Sequence, residues 1–324
     1  MTTYSPTTEQ RGTFTISIDF EYALGYADAV LSEERERLIK EEAAVSRRIL
    51  KLFETYDVSA TWAIVGHLLE TDCQVSGGRV HSDFPEQIFS DRNLDWFAAH
   101  PPAGDTTDPL WFDGPRVIQA VRESVVPQEI GSHSYAHILY GDPALKEAAV
   151  KADIAGIKRI HQQYDIPLAS FIFPRNMEGH HEKLCDIGVE CFRGESKFWY
   201  MRFPGPLARL ARLLDYVLPT ARTVLPQRHE SGLVNIPDSL LLLGRNGLRR
   251  LVTPGIMKRK IKRGIDQACD RGEIFHLWFH PSNFSYDTDT QLAILEDVLR
   301  YVAERRREGK LQVATMEMIS KNIV

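Results

Sequence analysis

Short apolar segments of strand length alternate along the chain with longer segments whose apolar residues recur at helical spacing. The first pair is a strand predicted at Phe14–Phe20 and a long amphipathic helix predicted at Glu33–Tyr56. Further strands are predicted at Ser59–Val65, Pro127–Gly131, Ala169–Phe173, Glu190–Arg193, Leu233–Ile236, Glu273–Phe279 and Gln312–Ala314. Further helices are predicted at Gly114–Ser124, Asp142–Tyr164, Glu178–Ile187, Gly255–Arg271 and Thr288–Arg307.

This order of strand and then helix repeats about seven times and predicts an α/β fold. Continuous apolar strands separated by helices indicate a parallel sheet that is covered by helices. Seven or eight such units in 324 residues favour a closed or nearly closed barrel over an open sheet. Because no linker divides the chain, we predict a single domain over residues 1–324 with insertions at about 69–109 and 198–229.

Composition restricts the class of protein. Hydrophobic residues make up 43% of the chain and charged residues 26%, which excludes disordered, collagen-like and coiled-coil proteins. The first thirty residues lack the apolar core of a signal peptide, and no apolar run approaches the ~18 residues of a membrane span. The sequence therefore predicts a cytoplasmic protein.

Charge is unevenly distributed along the chain. Residues 201–263 contain 13 Lys or Arg against 3 Asp or Glu, a local charge of +10 in a chain of net charge −5. Such a segment suits an anionic ligand or peripheral contact with an anionic membrane surface, although a solvated arginine-rich surface is equally compatible. The basic run Lys258–Arg263 is typical of a solvated helix face, so we do not predict nucleic-acid binding.

Polar side chains that follow the predicted strands are the candidates for chemistry, because function in such barrels lies where the strands end. Four strands deliver acidic, imidazole and guanidinium groups to this edge: Asp19 and Glu21, His133 and His137, Arg175, and His280.

The two histidines that follow the Pro127–Gly131 strand are four residues apart. If a helical turn begins after Gly131, His133 and His137 lie on one face and can bind one cation. A carboxylate from the first strand would complete a site with two histidines and open positions, which is typical of zinc and related metals. Such a metal lowers the pKa of bound water and polarises a carbonyl group. Either Asp19 or Glu21 could be this ligand, with the other as general base.

Two further residues fit a hydrolytic reaction. Arg175 could pair with the base carboxylate and keep it ionised. His280 at a strand end is suited to donate a proton to a leaving amine.

These residues together resemble the polysaccharide deacetylase family, which is carbohydrate esterase family 4 or the NodB-homology domain. The resemblance runs from Phe14 to about Met318 and is nearest to the Asp-Phe-Glu branch associated with cell-surface polysaccharide biosynthesis. It is carried by Ser17-Ile-Asp19-Phe-Glu21, Gly131-Ser-His133-Ser-Tyr-Ala-His137, Phe173-Pro-Arg175-Asn176 and Trp278-Phe-His280-Pro-Ser-Asn283.

The resemblance implies a distorted (β/α)₇ barrel and metal-dependent hydrolysis of an N-acetyl group from an amino sugar. The divalent metal would be Zn²⁺ by preference, with Co²⁺, Ni²⁺ or another first-row metal as alternatives. The residue roles that the resemblance implies are His133, His137 and Glu21 as metal ligands, Asp19 as base, Arg175 as the arginine that tethers the base, and His280 as proton donor.

The sequence departs from the family pattern at three motifs. The family's adjacent aspartates are here Asp19-Phe20-Glu21, which leaves the identity of the acidic ligand open. The family's tyrosine, whose amide serves the oxyanion site, has no clear match beside Arg175, and the aspartate–tryptophan motif has no clean counterpart. Asn176, Trp199 and Asn283 are expected to bind substrate, with Trp199 as a wall of the site.

The sequence leaves several substrates open, and it leaves open whether the protein is catalytic or only binds a glycan. An N-formyl group could replace the acetyl group, and the sugar could be linked to a nucleotide or a lipid. A small non-sugar amide is possible because the scaffold also resembles that of ureide and cyclic-imide hydrolases. A non-catalytic glycan-binding relative would be expected to lack ligands or base. The sequence leaves the oligomeric state open.

Overall fold

The computed structural model of the protein describes residues 11–26, 32–70, 75–76, 79–80, 84–85, 114–196, 198–218 and 220–323. Its strands are β1 Gly12–Phe20, β2 Thr61–Ile64, β3 Val75–Ser76, β4 Arg79–Val80, β5 Glu129–Ser132, β6 Ser170–Ile172, β7 Cys191–Arg193, β8 Gln227–Arg228, β9 Val234–Asn235, β10 Leu240–Leu241, β11 Ile274–Phe279 and β12 Leu311–Val313. Its α-helices are α1 Glu33–Lys40, α2 Glu42–Tyr56, α3 Gly114–Glu123, α4 Glu147–Gln163, α5 His181–Cys185, α6 Gly205–Val217, α7 Pro254–Arg271, α8 Ser282–Ser285, α9 Thr288–Arg307 and α10 Met316–Lys321.

The main sheet is almost entirely parallel and has the order β10-β11-β1-β2-β5-β6-β7-β9-β8, with β12 added beside the start of β1. Only the β8–β9 pair within this sheet is antiparallel among the described strands. The sheet curls into a half-barrel that is surrounded by helices. The predicted α/β class and the distorted (β/α) barrel are therefore confirmed.

Strand β1 lies in the middle of the sheet and is buried along its whole length. Its register with its neighbours decides which residues meet at the carboxyl ends of the strands. Ile18 pairs with Phe279 of β11, so the next residues, Asp19 and His280, reach the edge at the same level. Through β2, Phe20 pairs with Ile64 and Ile64 with Ser132, so the residues that follow β1 and β5 also meet there.

Helix α7 packs on β1 and β11, and helix α9 packs on α7 and on β12. Buried apolar residues repeat along each helix at the spacing of one face, as in Leu292, Leu295 and Leu299 of α9. Gly264 of α7 lies against the ring of Phe275, where a Cβ atom would overlap the aromatic carbons. This close approach fixes α7 against the sheet and thereby supports the strands that end at the site.

Three predicted helices have clearly different bounds in the structure, and the one predicted at Glu178–Ile187 is only His181–Cys185. The helix predicted at 33–56 is two helices that meet at Glu41. The helix predicted from Asp142 begins at Glu147, because Asp142 Oδ1 accepts a hydrogen bond from the Ala144 amide and closes a turn ahead of the helix. Four short strands, β3, β4, β8 and β10, were not predicted.

The structure describes the two predicted insertions to different extents. Most of 69–109 lies outside the described residues. The segment 198–229 contains α6 and β8 and lies between β7 and β9. No helix among the described residues is both long enough and apolar enough to cross a membrane.

Candidate active site

Glu21, His133 and His137 bring three potential ligand atoms together, all within 4.8 Å of one another. Glu21 Oε2 lies 2.9 Å from His137 Nε2 and 3.4 Å from His133 Nε2. His133 Nδ1 contacts the Ile172 carbonyl oxygen at 2.8 Å, and its buried Nε2 has no hydrogen-bond partner among the described residues. An imidazole that donates through Nδ1 presents the lone pair of Nε2, as metal-binding histidines do. The donor set therefore fits a divalent metal.

The loop that carries the two histidines is not helical, contrary to the prediction of a helical turn after Gly131. Ser134 and His137 both have positive φ, at 68° and 58°. The buried carboxylate of Asp153 holds the loop by accepting hydrogen bonds from the Ser134 hydroxyl, the Tyr135 and Ala136 amides and the Tyr140 hydroxyl. The two imidazole rings nevertheless meet, with centroids 5.0 Å apart.

Glu21 can face the same edge as Asp19 because β1 ends irregularly. The strand stops at Phe20, and Tyr22 has a φ of 45° at the start of a 3₁₀ turn. Gly25 in this turn lies against the Glu21 side chain, and a Cβ atom there would overlap the carboxylate. Two residues that alternate along a regular strand would point to opposite sides, so this turn makes the carboxylate pair possible.

Asp19 is held by Arg193, a residue that the sequence did not assign to the site. Arg193 donates from Nη1 and Nη2 to Oδ1 and Oδ2 of Asp19 at 2.6 and 2.7 Å, and both side chains are buried. Burial alone raises the pKa of Asp19, but the Arg193 guanidinium and nearby imidazoles outweigh it and hold the pKa below its usual value. Asp19 is therefore an ionised carboxylate in a buried environment.

His280 lies beside the carboxylates of Asp19 and Glu21. Its Nε2 is 3.5 Å from Glu21 Oε1 and 3.7 Å from Asp19 Oδ2. The side chain is partly exposed and lines a cleft that Asp19 and Glu21 also line. The predicted substrate-binding residue Asn283 is not among the residues lining that cleft. Asn283 Oδ1 accepts a hydrogen bond from the His280 amide, so it fixes the backbone of the candidate proton donor.

No family model and no curated protein matches the chain. Solved structures do match it, and they identify its fold. Two solved structures provisionally assigned as polysaccharide deacetylases match almost its whole length. The one from Mycobacterium smegmatis has a TM-score of 0.60 at 14% identity, with 99% of this chain and 92% of that chain covered. The one from Pseudomonas aeruginosa PAO1 has a TM-score of 0.61 at 15% identity, with 97% and 91% covered.

The chain has the polysaccharide deacetylase fold. An allantoinase, PuuE, is equally similar, with a TM-score of 0.60 at 14% identity and 97% and 90% of the two chains covered. Since one fold carries several chemistries, the polysaccharide deacetylase fold alone does not decide the reaction. The residues in the cleft have to decide it.

Arg175 does not occupy the position that the family resemblance implies. Arg193 from β7 takes both oxygens of Asp19, whereas Arg175 is exposed, lines the cleft and has a φ of 52°. The positive charge of Arg175 is a minor cause of the lowered pKa of His137, after burial. The arginine that pairs with the candidate base Asp19 therefore comes from β7 and not from the segment that follows β6. Arg193 ends a predicted strand, so the criterion that selected the other site residues also fits it.

The remaining predicted substrate residues separate in the structure. Asn176 lines the cleft, and its side-chain Oδ1 accepts a hydrogen bond from Arg193 Nη2. Its backbone N–H donates to the Phe173 carbonyl oxygen, so this N–H is not a free donor for an oxyanion. Trp199 lies outside the main cleft, in a neighbouring cavity of about 280 Å³, and donates to Asp215. The tryptophan that lines the main cleft is Trp278, whose ring packs 4.2 Å from the Arg193 guanidinium carbon.

A buried chain of polar groups supports the Asp19–Arg193 pair. Ser17 Oγ accepts from Arg193 Nη1 at 3.0 Å and lies 2.8 Å from His276 Nε2. His276 Nδ1 contacts the Pro237 carbonyl oxygen, and burial lowers the pKa of His276 to about 3. A neutral His276 that donates a hydrogen bond through Nδ1 can accept one from the Ser17 hydroxyl through Nε2. Ser17 Oγ can then accept a hydrogen bond from Arg193. No sequence motif indicates this network.

The cleft above these groups has a volume of about 360 Å³ and combines aromatic and charged walls. Phe198, Tyr200 and Trp278 supply the aromatic surfaces. Polar walls come from Glu195 and Arg212. This combination suits a small polar ring compound with apolar faces.

Proposed function

We propose that the protein is a metal-dependent amidohydrolase that removes an N-acetyl or N-formyl group from an amino sugar. The observation that carries the proposal is the convergence of Glu21, His133 and His137 beside the Asp19–Arg193 pair and His280 in one cleft. Two histidines and a carboxylate favour Zn²⁺, with Co²⁺ or Ni²⁺ as alternatives. When bound, the metal would supply Lewis-acid activation of water and of the substrate carbonyl.

The protein's own groups have complementary parts in this reaction. Asp19, kept ionised by Arg193, accepts the proton of the attacking water. His280 stands on the other side of the carboxylate pair and donates a proton to the departing amine. One water is consumed, the amide C–N bond breaks, and a carboxylic acid and a free amino sugar leave.

The walls of the cleft favour a sugar substrate. Aromatic faces at Phe198, Tyr200 and Trp278 beside charged groups match a ring with apolar faces and hydroxyl edges. Carboxylates outnumber arginines in the lining of the cleft, and Arg175 and Arg212 are the two guanidinium groups that would contact the phosphate of a nucleotide-linked or lipid-linked sugar.

The proposal is tested by released acid and by metal content together. Purified protein with Zn²⁺, Co²⁺ or Ni²⁺ is incubated with N-acetyl and N-formyl amino sugars that are free, nucleotide-linked or lipid-linked. We expect release of acetate or formate, near-stoichiometric metal, and turnover lost in His280→Gln but kept in His229→Gln, a histidine away from the cleft. Metal-loaded protein that releases no acid from any of these sugars would exclude amino-sugar hydrolysis and leave the glycan-binding and non-sugar alternatives.

A small non-sugar amide is the second candidate because PuuE allantoinase resembles the chain as closely as the two provisionally assigned deacetylases do. Adding allantoin and a cyclic imide to the panel separates the candidates, with loss of the cyclic compound as the readout, because ring opening keeps the new carboxylate in the product and releases no separate acid. Turnover of these compounds without turnover of any amino sugar would replace the sugar by a ureide or imide substrate.

A further inference from the structure

The outward face of helix α6 is apolar, which is the reverse of an ordinary surface helix. Leu207, Leu210, Leu214 and Val217 follow one another at intervals of three, four and three residues, and each is more than half exposed. The opposite face packs against the protein through residues such as Tyr216, whose hydroxyl donates to the Leu241 carbonyl. The apolar stripe is therefore not part of the core.

A neighbouring turn extends this surface. The 3₁₀ turn at 247–251 exposes Leu248 and Leu251 by 71% and 68%. The turn leads directly into α7, and Ile256 in the first turn of α7 lines the same small cavity as Val217 of α6, so the turn lies near the end of α6. We call the exposed residues Leu207, Leu210, Leu214, Val217, Leu248 and Leu251 the apolar patch. Isolated exposed leucines are common, but a cluster of this kind marks an interaction surface.

Exposed positive charge accompanies the apolar patch. Arg209 lies on α6, Arg250 on the turn, and Arg202 and Arg259 on adjacent segments; all four are exposed. Asp287 and Asp297, from outside residues 201–263, pair with Arg245 and Lys262, and the segment itself contains three acidic residues. Asp215 is paired with Lys260 and Asp238 is buried, which leaves Glu230 near the β8–β9 pair.

We propose that the apolar patch and its arginines dock the protein on the surface of an anionic lipid bilayer. Leucines would enter the boundary between headgroups and acyl chains, and the arginines would contact anionic headgroups. A second copy of the chain is a poorer occupant, because pairing two such surfaces would bring two strongly positive segments together. A bilayer of opposite charge satisfies both the apolar and the electrostatic character of the surface.

The docking surface is continuous with the candidate active site. Tyr200, Met201 and Arg212, from the segment that carries the patch, also line the main cleft. Met201 is both a lining residue and nearly half exposed. If the proposed hydrolase function holds, on which this step rests, a docked protein would open its cleft toward the headgroup layer, and the substrate class would be an N-acylated amino sugar carried on a lipid.

The test is co-sedimentation of the full chain with vesicles of phosphatidylcholine alone or mixed with phosphatidylglycerol. We expect binding to the anionic vesicles that weakens with salt. Leu210→Ser/Leu214→Ser should reduce the affinity about tenfold or more, because two leucines no longer enter the lipid. Val125→Ser/Met318→Ser, which changes two exposed apolar residues outside the patch, should bind as the wild type does. Arg209→Gln/Arg250→Gln should weaken binding and flatten its dependence on salt.

Three results would overturn the docking proposal. The first is wild-type protein that stays in the supernatant with anionic vesicles. The second is an equal loss of vesicle binding in Leu210→Ser/Leu214→Ser and in the control Val125→Ser/Met318→Ser. The third is a wild-type dimer that binds no vesicle and that Leu210→Ser/Leu214→Ser dissociates. Circular dichroism and a thermal melt establish that each variant is folded.

Acid release distinguishes failure of docking from failure of the hydrolase proposal. The patch pair should keep full activity on a free N-acylated amino sugar and lose about tenfold on the same sugar carried by a lipid in vesicles, in line with the loss of binding. Equal activity of wild type and the patch pair on the vesicle substrate would overturn the substrate class. Vesicle binding without hydrolysis of any amide would retain the docking surface and exclude the hydrolase.

Discussion

Arg193 donates hydrogen bonds to both carboxylate oxygens of Asp19 at 2.6 and 2.7 Å. Their strands, β7 and β1, are separated in the sheet by β2, β5 and β6. The pair therefore spans the interior of the curled barrel near the carboxyl ends of the strands. A planar guanidinium can bind two oxygens at once, and this fixes the carboxylate in orientation as well as in charge. The candidate base is thus positioned by the curvature of the sheet.

Arg193→Lys should lower kcat/KM for the amide substrate by about a hundredfold, because an ammonium group cannot replace the two parallel hydrogen bonds. The control is Arg175→Lys, which changes an exposed arginine of the same cleft and should cost less than about tenfold. Steady-state acid release measures both variants. A larger loss in Arg175→Lys would restore Arg175 as the tether of the base.

Asp153→Asn should weaken metal binding by about 10- to 100-fold, because an amide cannot accept all the hydrogen bonds that order the loop of His133 and His137. Competition with a chromophoric chelator measures the affinity. Asp142→Asn provides the matched control: its carboxylate closes a turn after the loop, and metal affinity should stay unchanged. Unaltered affinity in Asp153→Asn would contradict the positioning role.

Gly25→Ala should also weaken metal binding about tenfold or more, because the new methyl group would take the space of the Glu21 carboxylate. Gly255→Ala is the control, since the nearest atom to a Cβ atom at the start of α7 is Thr253 Oγ1 at 4.0 Å, which is ordinary contact. Isothermal titration with Zn²⁺ compares the two variants. If both bind Zn²⁺ like the wild type, Glu21 does not need the room that Gly25 provides.

The free energy of unfolding should fall as the pH drops below 6.5, in part because His276 is buried as the neutral imidazole. Its pKa is about 3 in the folded protein and near 6.5 in the unfolded chain, so only the unfolded chain takes up the proton between these values. The stability is present above pH 6.5, and by pH 5 this residue alone should have cost about 2 kcal/mol.

Urea unfolding at several pH values, with a chelator to remove metal effects, measures this loss. His276→Gln should reduce the difference between pH 6.5 and pH 5 by about 2 kcal/mol relative to the wild type. An identical pH dependence in the variant and the wild type would show that His276 is not the group responsible.

The strand and helix pattern could be predicted because burial imposes a period on the sequence. The nine-residue strand β1 is buried on both sides, and its apolar run shows this directly. Helix α9 has the predicted bounds, Thr288–Arg307. Local hydrogen bonding by Asp142 shortened another predicted helix, because a side chain that caps a turn looks the same in sequence as one that caps a helix.

The residues of the site divide in the same manner. By itself the sequence determined that Asp19, Glu21, His133, His137 and His280 follow apolar strands and so reach one edge of a parallel barrel. The tertiary structure decided that Arg193, and not Arg175, tethers Asp19, and that the two histidines meet through a loop held by Asp153. The physical reason is distance: strand order and burial leave a local period in the sequence, whereas a pair across the barrel depends on how far the sheet curls.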